Sequence, residues 1–208
     1  MATAGELKAL RDRTGALLLS PACQKVDFYW GGNHITGGGF AFVALATASR
    51  PQGRHGISFV VRPQRAHVGA SYDPASNTVS FPTVSFGASD PWEKQSIVHE
   101  MTHAMIDEMS HGKHTRAVDD ELCAFVAAAL FNIYSAANPH LGPFPYAAPA
   151  GSIFATAHGV AMSVQGNAGY AISPTVAHPL RQAILASPTY TFLHAHPSHS
   201  YSNNGLSL

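Results

Sequence analysis

The chain has 208 residues, of which 46% are hydrophobic and 12% are charged, and its formal net charge at pH 7 is zero with histidine neutral. This composition excludes an extended disordered chain, and it gives neither nucleic acid nor an anionic membrane an electrostatic reason to bind. The length suits one sizeable hydrophobic core, so we expect a single domain over residues 1–208.

The first residues, 1–13, predict a charged amphipathic helix. The apolar run that follows, Ala16 to Leu19, is too short for the core of a signal peptide, and no stretch of the sequence is long enough to span a bilayer. We therefore expect synthesis in the cytoplasm without a cleaved signal peptide, and export by a signal-independent route stays open. Cys23 and Cys123 do not make a disulfide framework, and Cys123 is expected to be a small core residue.

Two further features precede residue 89. The glycine-rich segment from Trp30 to Phe40 lacks the spacing of a phosphate-binding loop, so we expect a mobile loop that leads into a strand or helix at residues 40–48. Runs rich in β-branched and aromatic residues then predict strands at 56–62, 66–72 and 77–81, which would form a short antiparallel sheet.

Residues 89–109 predict a largely buried helix, with Ser89 or Asp90 as its N-cap and Glu93 placed for a capping box. This helix carries the motif H-E-x-x-H, formed by His99, Glu100 and His103. Histidines four residues apart share one helix face, so both imidazoles can bind one metal ion. A glutamate between them lies beside the metal, where it can act as a general base on a metal-bound water.

A catalytic zinc site usually has three protein ligands and one open position. The motif extension that would supply a third histidine is excluded, because Ile106 and Met109 occupy its places. The next predicted helix, residues 117–137, begins with three carboxylates, and Glu121 lies where its apolar surface starts. We expect Glu121 to be the third ligand, and the alternative is a first-turn acid that contacts solvent. The other candidate ligands are Asp120, His111 and His114.

The motif followed by E-x-x-A at Glu121 to Ala124 resembles the gluzincin branch of the zincin metallopeptidases. It is most similar to small bacterial metallopeptidase domains that occur alone or in secreted effectors, and the resemblance covers residues 89–130. It implies one Zn²⁺ per chain, bound by His99, His103 and Glu121, with Glu100 activating the water. The implied fold is α+β, with a small antiparallel or mixed sheet packed on the motif helix and a second helix that carries the third ligand.

This chain departs from the gluzincin pattern at Phe125, where the family has an aspartate. A carboxylate commonly orients a ligand histidine by accepting its second ring N–H. That task would therefore fall to another acid, and the candidates are Asp107, Asp119 and Asp120.

The resemblance also implies an edge strand that pairs with an extended peptide substrate. We expect this edge to be the strand Thr78, Val79, Ser80 and Phe81, because the proline after it cannot continue a ladder; an ordinary hairpin is the alternative. Gluzincins keep an oxyanion donor after the second helix, and the aromatic polar residues in that part of the chain are His158, Tyr170 and His178.

The remaining sequence predicts a proline-rich crossing loop at 138–151, helices at 152–164 and 179–186, and a flexible tail at 194–208. The chain thus divides into an N-terminal helix and sheet (1–88), a metal-binding helix pair (89–137), a loop with C-terminal helices (138–193) and the tail.

Taken together, the sequence predicts a zinc-dependent metallopeptidase that hydrolyses peptide bonds in a peptide or protein substrate. Two alternatives stay open. One is a cell-wall peptide hydrolase or secreted effector toxin of the same chemistry, and the other is a catalytically silent zinc-binding module.

Overall fold

The structure is a computed structural model, and it describes residues 2–48, 56–64, 69–110, 113–136 and 151–202. Helix α1 (Ala4–Leu18) begins with a reciprocal capping box. The Thr3 hydroxyl accepts a hydrogen bond from the Glu6 amide at 3.2 Å, and the Glu6 carboxylate accepts one from the Thr3 amide at 2.7 Å. The predicted N-terminal helix is confirmed, and it continues through most of the apolar run. A short helix, α2 (Pro21–Gln24), follows it.

The glycine-rich segment forms a hairpin and the start of a helix. Strands β1 (Asp27–Trp30) and β2 (Asn33–Thr36) pair antiparallel, and α3 (Gly37–Ala48) follows directly. Gly31 and Gly32 occupy the turn with φ of 59° and 85°, which suits the type of two-residue turn that matches strand twist. The predicted mobile loop is therefore wrong, because the glycines supply turn conformations rather than freedom. Of the two alternatives predicted for residues 40–48, a strand or a helix, the structure shows the helix.

The second sheet has three short strands, β3 (Ser58–Val61), β4 (Ser71–Asp73) and β5 (Thr78–Phe81). Its order is β3-β5-β4, with β3 and β5 parallel and β4 and β5 antiparallel. The sheet is thus mixed rather than antiparallel. The prediction that Thr78, Val79, Ser80 and Phe81 form an edge strand is wrong, because β5 is central. Its last three residues are at most 1% exposed, and burial on both sides suits a central strand.

Two long helices form the centre of the molecule. Helix α4 (Pro91–Met109) is capped by Asp90, whose carboxylate accepts a hydrogen bond from the Trp92 amide at 2.8 Å. Glu93 does not complete a capping box and instead accepts from the Gly87 amide at 2.8 Å. A short strand, β6 (His114–Arg116), leads into α5 (Ala117–Ala136).

Helices α4 and α5 make the most extensive contact between described elements. Both helices carry fully buried side chains, among them Met101, Met105, Leu122 and Val126. Both predicted helices are confirmed, and their packing brings the H-E-x-x-H face of α4 towards the first turns of α5.

The chain beyond residue 150 adds helices on one side of α5. Helix α6 (Ile153–Val164) is capped by Ser152, strand β7 (Tyr170–Ala171) joins β1 in parallel, and helix α7 (Pro174–Ala186) follows. The predicted helices at 152–164 and 179–186 are confirmed, although α7 starts earlier, at Pro174. The predicted proline-rich loop lies outside the described residues, except for residue 151.

The C-terminal segment is ordered into short elements. A 3-10 turn (Pro188–Tyr190) leads into α8 (Thr191–Ala195), and β8 (Ser200–Ser202) pairs antiparallel with β6. The predicted flexible tail is therefore wrong as far as Ser202, because the segment docks as a strand and places Tyr201 opposite Thr115. Residues 203–208 lie outside the described part of the chain.

The observed class is α+β, with small mixed sheets packed against helices, as predicted. Cys23 and Cys123 are both buried, and both are free thiols. Within the described residues, no helix combines the length and apolar character that crossing a membrane requires.

Candidate metal centre

The two histidines of α4 point into a common space. Because they are one helical turn apart, their side chains project from the same face, and the Nε2 atoms of His99 and His103 lie 3.2 Å from each other. Each side chain is only 12% exposed. The sequence prediction that these two residues converge is thus confirmed.

Glu121 reaches the same space from the first turn of α5. Its Oε2 atom lies 3.3 Å from His99 Nε2 and 3.9 Å from His103 Nε2. Among the described residues, these three form the group whose ligand atoms all lie within 4.8 Å of one another and could hold a metal ion. Glu121 does not face solvent, since the residue is 9% exposed.

The separations of the three donor atoms suit a tetrahedral ion. Two ligand atoms placed about 2.0–2.1 Å from a tetrahedral zinc lie about 3.3–3.4 Å apart. The observed distances of 3.2, 3.3 and 3.9 Å are close to this edge length. Two imidazoles and one carboxylate also match the ligand types of catalytic zinc sites, which leave a fourth position for water or substrate.

The orientation of His103 is fixed by Asp120. The Nδ1 atom of His103 lies 3.0 Å from Asp120 Oδ2, so an N–H at Nδ1 donates to this carboxylate and leaves Nε2 free to bind a cation. Of the acids predicted for this task, Asp120 is the one the structure places there. Asp120 and His114 were also candidate metal ligands, but neither belongs to the group of three donors. His114 is exposed on β6. His111 lies outside the described residues.

The other two candidate acids have different contacts. Asp107 accepts a hydrogen bond from the Tyr72 hydroxyl at 2.9 Å. Asp119 accepts from Trp30 Nε1 at 3.3 Å and from Arg116 Nε at 2.6 Å, which ties the β1–β2 hairpin to α5.

Phe125 packs on the other ligand histidine. Its ring meets that of His99 edge-on, with the ring centroids 4.6 Å apart. Where gluzincins have an aspartate, this chain thus restrains the imidazole by aromatic packing.

Glu100 lies beside the three donors. Its Oε2 accepts a 2.8 Å hydrogen bond from the backbone amide of Tyr72, on the edge strand β4. Burial raises the pKa of the Glu100 carboxyl above its usual range, against the opposing effect of His99 and His103. Sequence reasoning did not find this amide, because it depends on how β4 docks against α4.

The charges around Glu121 differ from those around Glu100. Burial alone would raise the pKa of Glu121, but His103, His99 and a hydrogen bond from Tyr190 hold it below its usual range. Burial alone would lower the pKa of His103, but Asp120 and Glu121 raise it to about 10. The site therefore stabilises positive charge at the His103 imidazole, and Glu121 stays ionised.

The predicted oxyanion donors do not reach this site. His158 and His178 are exposed on α6 and α7, and Tyr170 pairs with β1 in the other sheet. The prediction of these three residues is wrong, because α6 and α7 present the two histidines to solvent and Tyr170 pairs in the sheet of β1 and β2.

Two other tyrosines approach the donors. Tyr190 donates a 2.8 Å hydrogen bond to Glu121 Oε2, and Tyr201 lines the cavity beside Glu121. Burial raises the pKa of both hydroxyls, that of Tyr201 to about 12, so both remain protonated donors. No local sequence signal marked them, because both come from the C-terminal segment.

Two cavities flank the donor group. The larger, about 420 Å³, is lined by His103, Glu121 and Glu100, and the smaller, about 110 Å³, is lined by His99 and Tyr190. The three donor atoms can thus be approached from outside. No family model, curated protein or solved structure matches this chain in comparisons with known proteins.

Proposed function

We propose that the protein is a zinc-dependent metallopeptidase of the gluzincin type, with a zincin-like arrangement of the sheet and the two central helices. The observation that carries this proposal is the convergence of His99 Nε2, His103 Nε2 and Glu121 Oε2 at near-tetrahedral separations, with Glu100 beside them and a cavity at hand. Three donors with one open position and an adjacent buried carboxylate suit hydrolysis.

Zinc bound by these donors would polarise the scissile carbonyl and lower the pKa of a bound water. Glu100 would accept a proton from the water at its carboxylate as the water oxygen bonds to the carbonyl carbon, and would pass it to the amine that leaves when the C–N bond breaks. The Tyr72 amide holds Glu100 Oε2 at 2.8 Å, which leaves the other oxygen for the proton.

The surrounding residues keep the donors in place. Asp120 fixes the tautomer of His103 by accepting its Nδ1 proton, and Tyr190 holds Glu121 Oε2. The closed coordination of a structural zinc has no use for a carboxylate such as Glu100 beside it. This favours an enzyme over a silent zinc-binding module.

The test compares substitutions of two site residues, Glu100 and Glu121, with a control substitution elsewhere on α4. We expect about one zinc per purified chain, and cleavage of a peptide library by the zinc-loaded protein. Glu100→Gln should keep the zinc and lower kcat by about 10²–10⁴-fold, whereas Glu121→Gln should lose zinc together with cleavage. Glu108→Gln removes the same charge from α4 and should change neither.

Two results would overturn the proposal. One is cleavage by Glu100→Gln at the rate of the unmodified protein. The other is the absence of bound zinc from the protein after loading, measured by elemental analysis.

A further inference from the structure

The two cavities beside the donor group differ in chemistry. His103 and Glu121 line the larger one, whereas His99 lines the smaller one, so the three donors lie at the boundary between them. A peptide whose scissile bond reaches the donors would place side chains on both sides of that boundary. The residues that line each cavity therefore determine which substrate side chains the cavity accepts.

The larger cavity is rich in carboxylates. Its acidic lining residues are Asp73, Glu100, Asp107, Asp120 and Glu121. The basic lining residues are His103, which would bind the cation as a neutral imidazole, and Arg62, which is exposed. With a dication at the donors and all five carboxylates ionised, the lining keeps an excess of negative charge, and a cleft of one sign attracts ligands of the other.

One of these carboxylates has unused hydrogen-bonding capacity. Asp120 is 6% exposed, its Oδ2 pairs with His103, and its buried Oδ1 has no hydrogen-bond partner in the described structure. A buried carboxylate oxygen without a donor costs free energy unless a donor or cation reaches it.

A second metal ion is not the ligand that best fits the negatively charged larger cavity. Within the described residues, His99, His103 and Glu121 are the single group of three donors close enough to bind an ion. Asp73 instead caps its own turn, where it accepts from the Ala75 amide and the Ser76 hydroxyl. The carboxylates are spread along the cavity, which suits a long side chain that ends in an ammonium or guanidinium group.

The smaller cavity is aromatic. Phe154 packs against both Trp92 and Phe125, with ring centroids 4.8 and 5.7 Å apart, and all three line the cavity beside His99. Its volume of about 110 Å³ is less than the roughly 150 Å³ of an apolar cavity known to accept benzene. It therefore suits an aliphatic side chain rather than an indole.

We propose that the substrate is a peptide with a basic side chain on the larger-cavity side of the scissile bond and an aliphatic side chain on the other side. This inference rests on the proposed peptidase function and names its substrate class. Charge sets the preference in one cavity, and size sets it in the other.

The first experiment uses the zinc-loaded full chain and matched peptides, aligned on the bond that a library digest identifies. The peptides differ at one position, which holds lysine, norleucine or glutamate. Lysine should give a kcat/KM at least about tenfold above glutamate, with norleucine between them, because like charges facing each other in a cleft are unfavourable. Added salt should reduce the difference.

A matched pair of variants, Asp73→Asn and Asp12→Asn, tests whether the preference for lysine arises in the larger cavity. Asp73→Asn removes one charge from the cavity rim and can keep its turn, so kcat/KM should fall about two- to fivefold for the lysine peptide alone. Asp12→Asn removes the same charge from α1, far from the cavity in sequence and paired with Lys8, and should change nothing. Phe154→Ala enlarges the smaller cavity and should admit phenylalanine in place of leucine.

Binding separates this inference from the peptidase proposal. The affinities of the lysine and glutamate peptides for zinc-loaded Glu100→Gln are measured by fluorescence anisotropy, so the charge preference is tested even if no peptide is cleaved. Equal affinities, or a preference for glutamate that would indicate pairing with Arg62, would overturn the inference. Cleavage of every peptide without preference would leave the peptidase proposal intact and overturn this one.

Discussion

The hydroxyl of Tyr190 donates a 2.8 Å hydrogen bond to Oε2 of Glu121, the same oxygen that lies 3.3 Å from His99 Nε2. The bond joins the C-terminal segment to a proposed metal ligand that lies 69 residues earlier in the chain. It limits rotation of the Glu121 carboxylate, so the donor oxygen is already placed before an ion binds. Such contacts to ligands commonly affect metal affinity almost as much as the ligands themselves.

Tyr190→Phe should therefore weaken zinc binding about 10–100-fold while leaving the fold intact. The measurement is a competition titration against a chromophoric chelator, with circular dichroism to monitor the fold. Tyr201→Phe is the matched control, because Tyr201 lines the larger cavity beside Glu121, whereas the hydrogen bond to Glu121 Oε2 comes from Tyr190. An unchanged zinc affinity in the folded Tyr190 variant would contradict this role.

Asp120 and Asp119 are neighbours with different tasks. Asp120→Ala removes the acceptor of His103 Nδ1 and should weaken zinc affinity about 10–100-fold. Asp119→Ala removes the acceptor of Trp30 and Arg116 and should lower the free energy of unfolding by about 1–3 kcal/mol, with little change in zinc affinity. Zinc titration and urea denaturation of both variants test this division. A reversed pattern would show that the two roles are assigned wrongly.

Gly37 and Gly38 should respond oppositely to the same substitution. A Cβ at Gly37 would lie 2.5 Å from the backbone oxygen of Gln24, whereas the nearest atom to a Cβ at Gly38 is the Thr36 hydroxyl, at 3.7 Å. Gly37→Ala should therefore cost at least about 2 kcal/mol of stability. Gly38→Ala should be neutral or gain up to about 1 kcal/mol, because alanine favours helix. Urea denaturation measures both, and equal stabilities would contradict the close approach of α2 and α3.

The two thiols should be unreactive in the native protein. Burial raises the pKa of Cys23 to about 12 and that of Cys123 well above its usual value. Because a raised pKa means that the thiolate forms only at higher pH, about one Cys23 thiol in 10⁴ is ionised at pH 8. Iodoacetamide at pH 8 should label neither cysteine until guanidinium unfolds the chain. Rapid labelling of the native protein, read by mass spectrometry, would argue against this burial.

The sequence predicted the centre of the site well, because its signals are local. Spacing along one helix brings His99 and His103 together. The position of Glu121 at the start of an apolar surface indicated that its side chain faces the motif helix. Asp120 was one of three candidate acids. The rotation of α5 distinguishes it from Asp119, and the hydrogen bond from Tyr72 engages Asp107. The binding of a metal by His99, His103 and Glu121, and the catalytic role of Glu100, stay predictions.

Most of the wrong predictions concern segments that pair with distant parts of the chain. The central position of β5 depends on a parallel pairing with β3, which no local pattern encodes. The hairpin at Gly31 and Gly32 did have a local signal, since paired glycines between β-forming residues mark a tight turn. Tyr190 and Tyr201 were missed because a short polar segment reads as a flexible end, whereas its docking on β6 is a tertiary effect.

Because all three proposed ligands lie on α4 and α5, the proposed metal site would couple thermal denaturation to the supply of the cation. An ion that binds the folded chain alone stabilises it by RT ln(1 + [L]/Kd), which is about 2.7 kcal/mol when the free ion is at one hundred times Kd. The crossing of the two longest helices, where much of the core lies, would then tighten with the ion and loosen with a chelator. Under the proposed function, a cell that withholds zinc would reduce both the activity of this protein and its lifetime.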